Sequence, residues 1–324
     1  MTAMLEIDQL TLEFETPAGL VHALENVGLV VERGECVALV GESGSGKSIT
    51  GMSILRLNGP NAQITANRIA LDGTDLQGMS DKAFQTIRGR RVAMIFQNAK
   101  SALNPLRKVG DTLTDILLAH AAEPLSRKQA RARVLEMLEQ IGIHEAKDRM
   151  LAYPAELSGG MCQRIMIAAA LLCDPELIIA DEPTSALDVT TQVKVMDMLM
   201  SACRERGVAV LFITHDLALA SAYCDQAVVM HAGQMLEDGP ADLVFVHPRH
   251  PYSRMLLASM PYGKESADNL KPMGGNLPDL RRDDLPTCRF AERCPRVQDQ
   301  CRTERIPETR IGQDHTVRCF FPHD

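Results

Sequence analysis

The chain has 324 residues, 45% hydrophobic and 23% charged, with only 4% aromatic residues, no Trp and a formal net charge of −8. This is a globular composition with room for one large domain and a smaller one. Its acidity argues against a polyanion as main ligand, since nucleic-acid binders usually carry a basic stripe.

The start "MTAMLEIDQL" lacks a basic segment followed by an apolar core, and no uncharged apolar run reaches the roughly 18 residues needed to span a bilayer. The sequence therefore reads as soluble and cytosolic, with any membrane role exercised through a partner. In chain order, residues 4–14 alternate as a strand and 36–40 (CVALV) form a short buried run. "GESGSGKS" follows at once, then a helix over "ITGMSILRL" and a strand over 91–96 (RVAMIF). Residues 110–151 are all helical. "RKQARARVLEMLEQIG" places Val134, Leu135, Leu138 and Ile141 on one face before a Gly stop. After "LSGG" come a helix to about 173, the strand "LIIAD", a helix over about 190–205 and the strand 208–214. "QAVVMHAGQMLEDG" reads as a hairpin turning at Ala232–Gly233.

Strands alternating with helices predict an α/β fold with a largely parallel sheet and crossover helices. The helical stretch reads as a subdomain inserted at about 98–160. Beyond about 262 the periodicity fades into a Gly-, Pro- and charge-rich linker, so the expected division is 1–262 and 263–324. The basic clusters at 88–91 and 127–133 read as solvated faces.

Gly41, Gly46, Lys47 and Ser48 fit G-x-x-x-x-G-K-[ST], between a strand and a helix. The loop Gly41, Glu42, Ser43, Gly44, Ser45, Gly46 can turn its N–H groups onto phosphates. Lys47 reaches the terminal phosphates, and Ser48 binds Mg²⁺. "LIIADE" supplies the carboxylates: Asp181 at the strand end for Mg²⁺, and Glu182 to polarise an attacking water. "ELSGGMCQR" is a second small-residue turn opening a helix, hence a second anion-binding helix start that one triphosphate does not need.

These residues resemble the ABC-transporter signature, in which Ser158, Gly159 and Gly160 would close over the nucleotide of an opposing subunit. Other stations of that pattern follow in order. Gln97 matches the Q-loop glutamine, a further Mg²⁺ ligand. "SALD" with Asp188 matches the D-loop, and His215 the switch histidine at the γ-phosphate. Phe14 is either the aromatic that stacks on adenine or a strand-core residue. The resemblance covers about residues 4–262. It implies an ABC-type P-loop nucleotide-binding domain that binds ATP and Mg²⁺, with the helical insert and a small cysteine-ligated C-terminal extension.

"FQNAKSALNP" and "HPRHPYSRMLL" narrow the resemblance to ATP-binding subunits of dipeptide, oligopeptide and nickel importers, although Ala99 stands where proline is common. Such subunits imply a second cassette (identical or a paralogue), two transmembrane permeases, an extracytoplasmic solute-binding protein and a place at the cytoplasmic face of the bacterial inner membrane. Nickel chelates, opines and glutathione stay open as solutes. The rival from another class is a soluble redox-sensing ATPase.

Of the nine cysteines, Cys36, Cys162, Cys173, Cys203 and Cys224 read as small core residues. Cys288, Cys294, Cys301 and Cys319, separated by five, six and seventeen residues, read as a metal site, because a reducing cytosol disfavours disulfides. The gaps exceed the knuckles usual for zinc. Four thiolates suit a [4Fe–4S] cluster, as the resemblance also implies, with zinc as the alternative. The nucleotide motifs all lie upstream, so the nucleotide site is expected to survive the loss of any one of these four cysteines.

Overall fold

In the computed structural model the described residues are 3–185, 187–259, 273–312 and 314–324. The domain boundary expected at 262–263 and the Ala186 position of "SALD" lie outside them. The chain divides into two compact units. One, the helical unit, comprises mainly residues 78–211. The other, the phosphate-loop unit, comprises 5–31, 35–77 and 212–324.

The phosphate-loop unit begins with strands β1 (Ala3–Thr16) and β2 (Gly19–Glu32). In β1 the buried side chains shift from Leu5 and Ile7 to Leu10 and Leu12, and Gln9 between them has φ 51. In β2 the shift falls between Leu24 and Val27, across Asn26 with φ 49. Each is a one-residue slip that lets a long strand keep one face in the core on both sides of a bend. The sequence reading missed β2 because the slip breaks its alternation. After β3 (Cys36–Val40), the short strands β4 (Ala62–Thr65), β5 (Arg68–Leu71) and β6 (Thr74–Asp75) complete an antiparallel sheet. Leu5 pairs with Leu71 and Leu12 with Ile64.

In the helical unit, β7 (Val92–Ile95) and β8 (Leu177–Asp181) pair in parallel, with Val92 opposite Leu177 and Ile95 opposite Ala180. The helices Val109–His120 and Arg127–Gln140 pack on each other through Leu113, Leu117, Val134 and Leu138. Leu135 is only half-buried and Met137 is buried in its stead. A capping box of Ser126 and Gln129 starts the second helix. The basic cluster there is not simply solvated: Arg127 and Arg131 donate to Asp115 and Asp111 at 2.9 Å each. Arg91 likewise grips Glu176 with two bonds of 2.7 Å.

The division between the units falls inside β9 (Ala209–Thr214). The phosphate-loop unit then adds β10 (Gln226–His231) and β11 (Gln234–Pro240), joined by Ala232 and Gly233 with φ 47 and 82, as a tight two-residue hairpin requires. β10 runs parallel to β3, with Val229 opposite Val40. The polar tail contributes β12 (Glu308–Ile311) and β13 (His315–Arg318), and β13 pairs with β11. The sheet is therefore less parallel than the sequence implied, and the tail is part of it.

Glu237 on β11 is 1% exposed. It accepts bonds from the backbone N–H groups of Arg249 (2.7 Å) and His250 (2.9 Å), and from the His315 ring (2.8 Å). Burial alone would raise its pKa, but the His315 ring and the two backbone donors hold it below the ordinary carboxylate value. Replacing Glu237 by Ala leaves these donors buried and unanswered. The variant should lose about 3 kcal/mol of stability in a denaturant titration, and Glu237→Gln distinctly less. An unchanged midpoint for the Ala variant would remove this carboxylate from the account of the fold.

Candidate functional site

The phosphate loop leaves the fully buried β3 at Gly41, whose φ of 152 is open to glycine. A Cβ there would lie 2.2 Å from the Met230 carbonyl oxygen, so the loop can pass β10 only without a side chain. Gly46 precedes the helix Lys47–Ile54. The Lys47 ammonium, 5% exposed, donates to the Gly41 and Glu42 carbonyls at 2.9 and 2.8 Å and to Ser45 Oγ at 3.3 Å. Ser43 and Gly44 are exposed, Ser48 is half-buried, and Ser45 is fully buried. The loop is thus a ring closed on its own lysine, the form expected of an anion cradle.

Side chains that the sequence reading did not assign hold this ring. Tyr252 accepts the Glu42 backbone N–H at its hydroxyl, 3.0 Å away. Arg293 clasps the Glu42 carboxylate with bonds of 2.6 and 2.9 Å. Arg293 and its carboxylate lie 251 residues apart, so nothing in the local pattern announced the pair. In the sequence "HPYS" serves only as a family mark, and Arg293 carries no local signal of its own among the cysteines. The nucleotide loop is thus braced in part by a residue of the tail, outside every nucleotide motif. The Arg293 fork and charge draw the Glu42 carboxyl below its usual pKa despite partial burial. His231, fully buried, sits with its Nδ1 3.7 Å from the same carboxylate and packs on Tyr252 and Phe290. Burial, with Arg293 nearby, lowers its pKa to about 4 and keeps it neutral.

In the helical unit, Gln97 and Glu182 each lie two residues beyond the paired Ile95 and Ala180. The parallel register brings them together, and Gln97 Nε2 donates to Glu182 Oε2 at 2.6 Å. Asp181, 6% exposed, is the last residue of β8. Glu182 has φ 45, a left-handed backbone that an L-residue holds only when its surroundings demand it. Such strain concentrates at working sites.

Ser158 caps the helix Gly159–Leu171, its hydroxyl accepting the Met161 N–H at 3.3 Å. Asp188 caps the helix Val189–Arg206 in the same way, accepting the Thr191 N–H at 3.0 Å. The two helix starts adjoin, since a Cβ on Gly160 would meet the Thr191 methyl at 3.2 Å. In the phosphate-loop unit, His215 is exposed directly after β9 and before the Asp216-capped helix Leu217–Tyr223. Phe14 is half-buried on β1 opposite Ala62, which leaves both of its readings in place.

Cys36, Cys162, Cys203 and Cys224 are buried as expected, and Cys173 is half-buried. Cys288, Cys294, Cys301 and Cys319 line one small cavity with Phe290, Ala291, Ile306, Phe320 and Phe321. Among the described residues, no group of three or more His, Cys, Asp or Glu side chains is arranged to hold a metal ion. The convergence is seen, but metal-ligand geometry is not. Burial pushes the Cys288 thiol up to about 12 and the Cys319 thiol to about 11, and the neighbouring cysteines add to both shifts.

Among the described residues no helix is long and apolar enough to cross a membrane. Residues 24–185 match the family described as ABC transporter, and residues 236–301 match the C-terminal region of oligopeptide/dipeptide transporters. The probable D,D-dipeptide transport ATP-binding protein DdpD of Escherichia coli K12 is 46% identical, over 98% of this chain and 95% of its own. The oligopeptide transport ATP-binding protein AppD of Bacillus subtilis 168 is 41% identical, over 99% and 97%. The solved ATP-binding cassette MJ0796, a dimer bound to ADP and Pi, superposes with a TM-score of 0.66 at 29% identity, over 74% of this chain and 99% of that one. A phosphate loop closed on its lysine, a register-matched glutamine and glutamate, and paired helix starts thus accompany these likenesses, and the chain belongs to the ABC transporter ATP-binding family, in the branch that carries the oligopeptide/dipeptide C-terminal region.

Proposed function

We propose that this chain is the ATP-binding and ATP-hydrolysing subunit of an importer for di- or oligopeptides. It would sit at the cytoplasmic face of the bacterial inner membrane through two permease subunits and work with a second cassette and a solute-binding protein. The observation that carries the ATPase reading is the Gln97–Glu182 bond at the matched ends of β7 and β8, beside Asp181. The peptide reading rests on the C-terminal match and on the relatives, which are peptide-transport proteins by name.

In this reading the loop Gly41–Ser48 cradles the phosphates. Lys47 exchanges its loop carbonyls for phosphate oxygens, and Ser48, Asp181 and Gln97 serve Mg²⁺. Glu182 takes the proton of the attacking water while Gln97 orients its carboxylate, and His215 meets the γ-phosphate. Ser158, Gly159, Gly160 and Asp188 serve the nucleotide of the partner cassette, their helix starts offering N–H groups and positive potential. Phe14 is the candidate for adenine stacking.

The four C-terminal cysteines are assigned to a [4Fe–4S] cluster, with zinc the alternative. Three of them share one feature that supports a thiolate site. Cys288, Cys294 and Cys319 each meet the backbone N–H two residues on, from Phe290, Arg296 (3.4 Å) and Phe321 (3.3 Å). Such donors favour thiolate sulfur, and a metal would supply the charge that burial otherwise denies it. The cluster would hold the tail's turns together.

Glu182→Gln should bind ATP nearly as well as the unaltered chain, while turnover of the assembled transporter falls by about a hundredfold or more. Unchanged turnover would strip Glu182 of the base role. Protein purified without air from iron-replete cells should be brown, and Cys319→Ser should lose the colour and release the tail to protease. Stoichiometric zinc without labile sulfide would replace the cluster with the four-ligand zinc site.

A further inference from the structure

The phosphate loop carries an acidic residue, Glu42, where a polyphosphate is to bind. Its carboxylate side chain is 28% exposed, and its own backbone carbonyl accepts the Lys47 ammonium at 2.8 Å. A bare carboxylate there would repel the incoming anion and compete for the lysine that should receive it. The fold answers this from the far end of the chain. The Arg293 side chain is 4% exposed, and its Nη1 and Nη2 each bind one Glu42 oxygen while its Nε donates to the Gly274 carbonyl at 3.0 Å. Every guanidinium nitrogen is engaged within the chain, so the fork is held in one orientation. His231 packs beside the carboxylate but is neutral, so it supplies no charge of its own. Tyr252 fixes the same residue by its backbone N–H.

We propose that Arg293 is a positioning residue of the nucleotide site. By neutralising Glu42 it keeps the loop electrostatically receptive and Lys47 available to phosphate. This rests on the ATP-binding reading above and adds that nucleotide affinity depends on a side chain of the C-terminal segment. The effect is one of charge, which separates it from simple anchoring. Loss of the arginine harms binding because the carboxylate remains, whereas loss of the carboxylate's charge does not harm it.

The test is ATP affinity of the isolated full-length chain with Mg²⁺, measured by titration calorimetry on the unaltered protein and four variants. Arg293→Ala should weaken binding about tenfold, and the deficit should shrink at high salt. Arg293→Lys, which keeps the charge but not the fork, should recover most of the loss. Glu42→Gln should shift affinity the opposite way, toward tighter binding. The double variant R293A/E42Q should bind distinctly better than Arg293→Ala alone.

If Arg293→Ala and Glu42→Gln weaken binding alike and the double variant brings no relief, the pair is an anchor and the proposal fails. It fails equally if Arg293→Ala binds as the unaltered chain does. Should Arg293→Ala not fold, the sign of the Glu42→Gln shift decides. An unaltered chain that does not bind ATP overturns the ATP-binding reading itself, and the proposal with it.

Discussion

One crowded backbone contact sets the geometry of the whole phosphate-loop unit. The hairpin turn at Gly233 is pressed between the phosphate loop and β2. Gly233 donates its N–H to the Ser45 carbonyl at 2.8 Å and accepts the Glu25 N–H at 2.9 Å. A Cβ on Gly233 would stand 2.3 Å from the Ala23 carbonyl, so only glycine allows the approach. Arg289 closes the junction, donating to the His22 and Ala232 carbonyls and pairing with Glu25 at 3.0 Å. The antiparallel sheet, the nucleotide loop and the tail therefore meet at one turn. Each is positioned by hydrogen bonds to the others, not by apolar burial alone.

That dependence explains which parts of the fold were legible in the sequence. Runs with a strong local signal announced themselves: CVALV as a fully buried strand, LIIAD with its terminal carboxylate, and the Ala232–Gly233 turn, where glycine suits the positive φ at its second position. β2 did not, because its slip at Asn26 hides its period. β12 and β13 did not either. They are four residues each, and only Val317 of β13 is buried without a polar group. Their reason for being strands lies in β11, not in themselves.

The site divides along the same line. Motif spacing singles out Lys47, Asp181, Glu182, Ser158 and Asp188 as candidates, and Ser158 and Asp188 stand in the structure as helix caps, a local device. The register that joins Gln97 to Glu182 is a property of two strands that no motif spells out. Tyr252, Arg289 and Arg293 act on residues more than two hundred positions away, and long-range side-chain pairing leaves no periodic trace. The four cysteines were visible as a count, and the structure sets them round one cavity without a metal-ligand arrangement among the described residues.

The antiparallel pairing of β11 with β13 also bears on how the chain is made. A ribosome delivers the phosphate loop before residues 273–324, while the loop's supports are distributed in the reverse sense. Until residue 293 has emerged, Glu42 has no guanidinium to hold it; until residue 315 follows, Glu237 is a carboxylate inside an unfinished sheet. The order of synthesis therefore runs against the order of support, and the phosphate loop gains its last braces only after the tail is made. A nascent chain stalled before its tail exposes an open sheet edge at β11, the sort of edge that pairs with other chains and that chaperones cover.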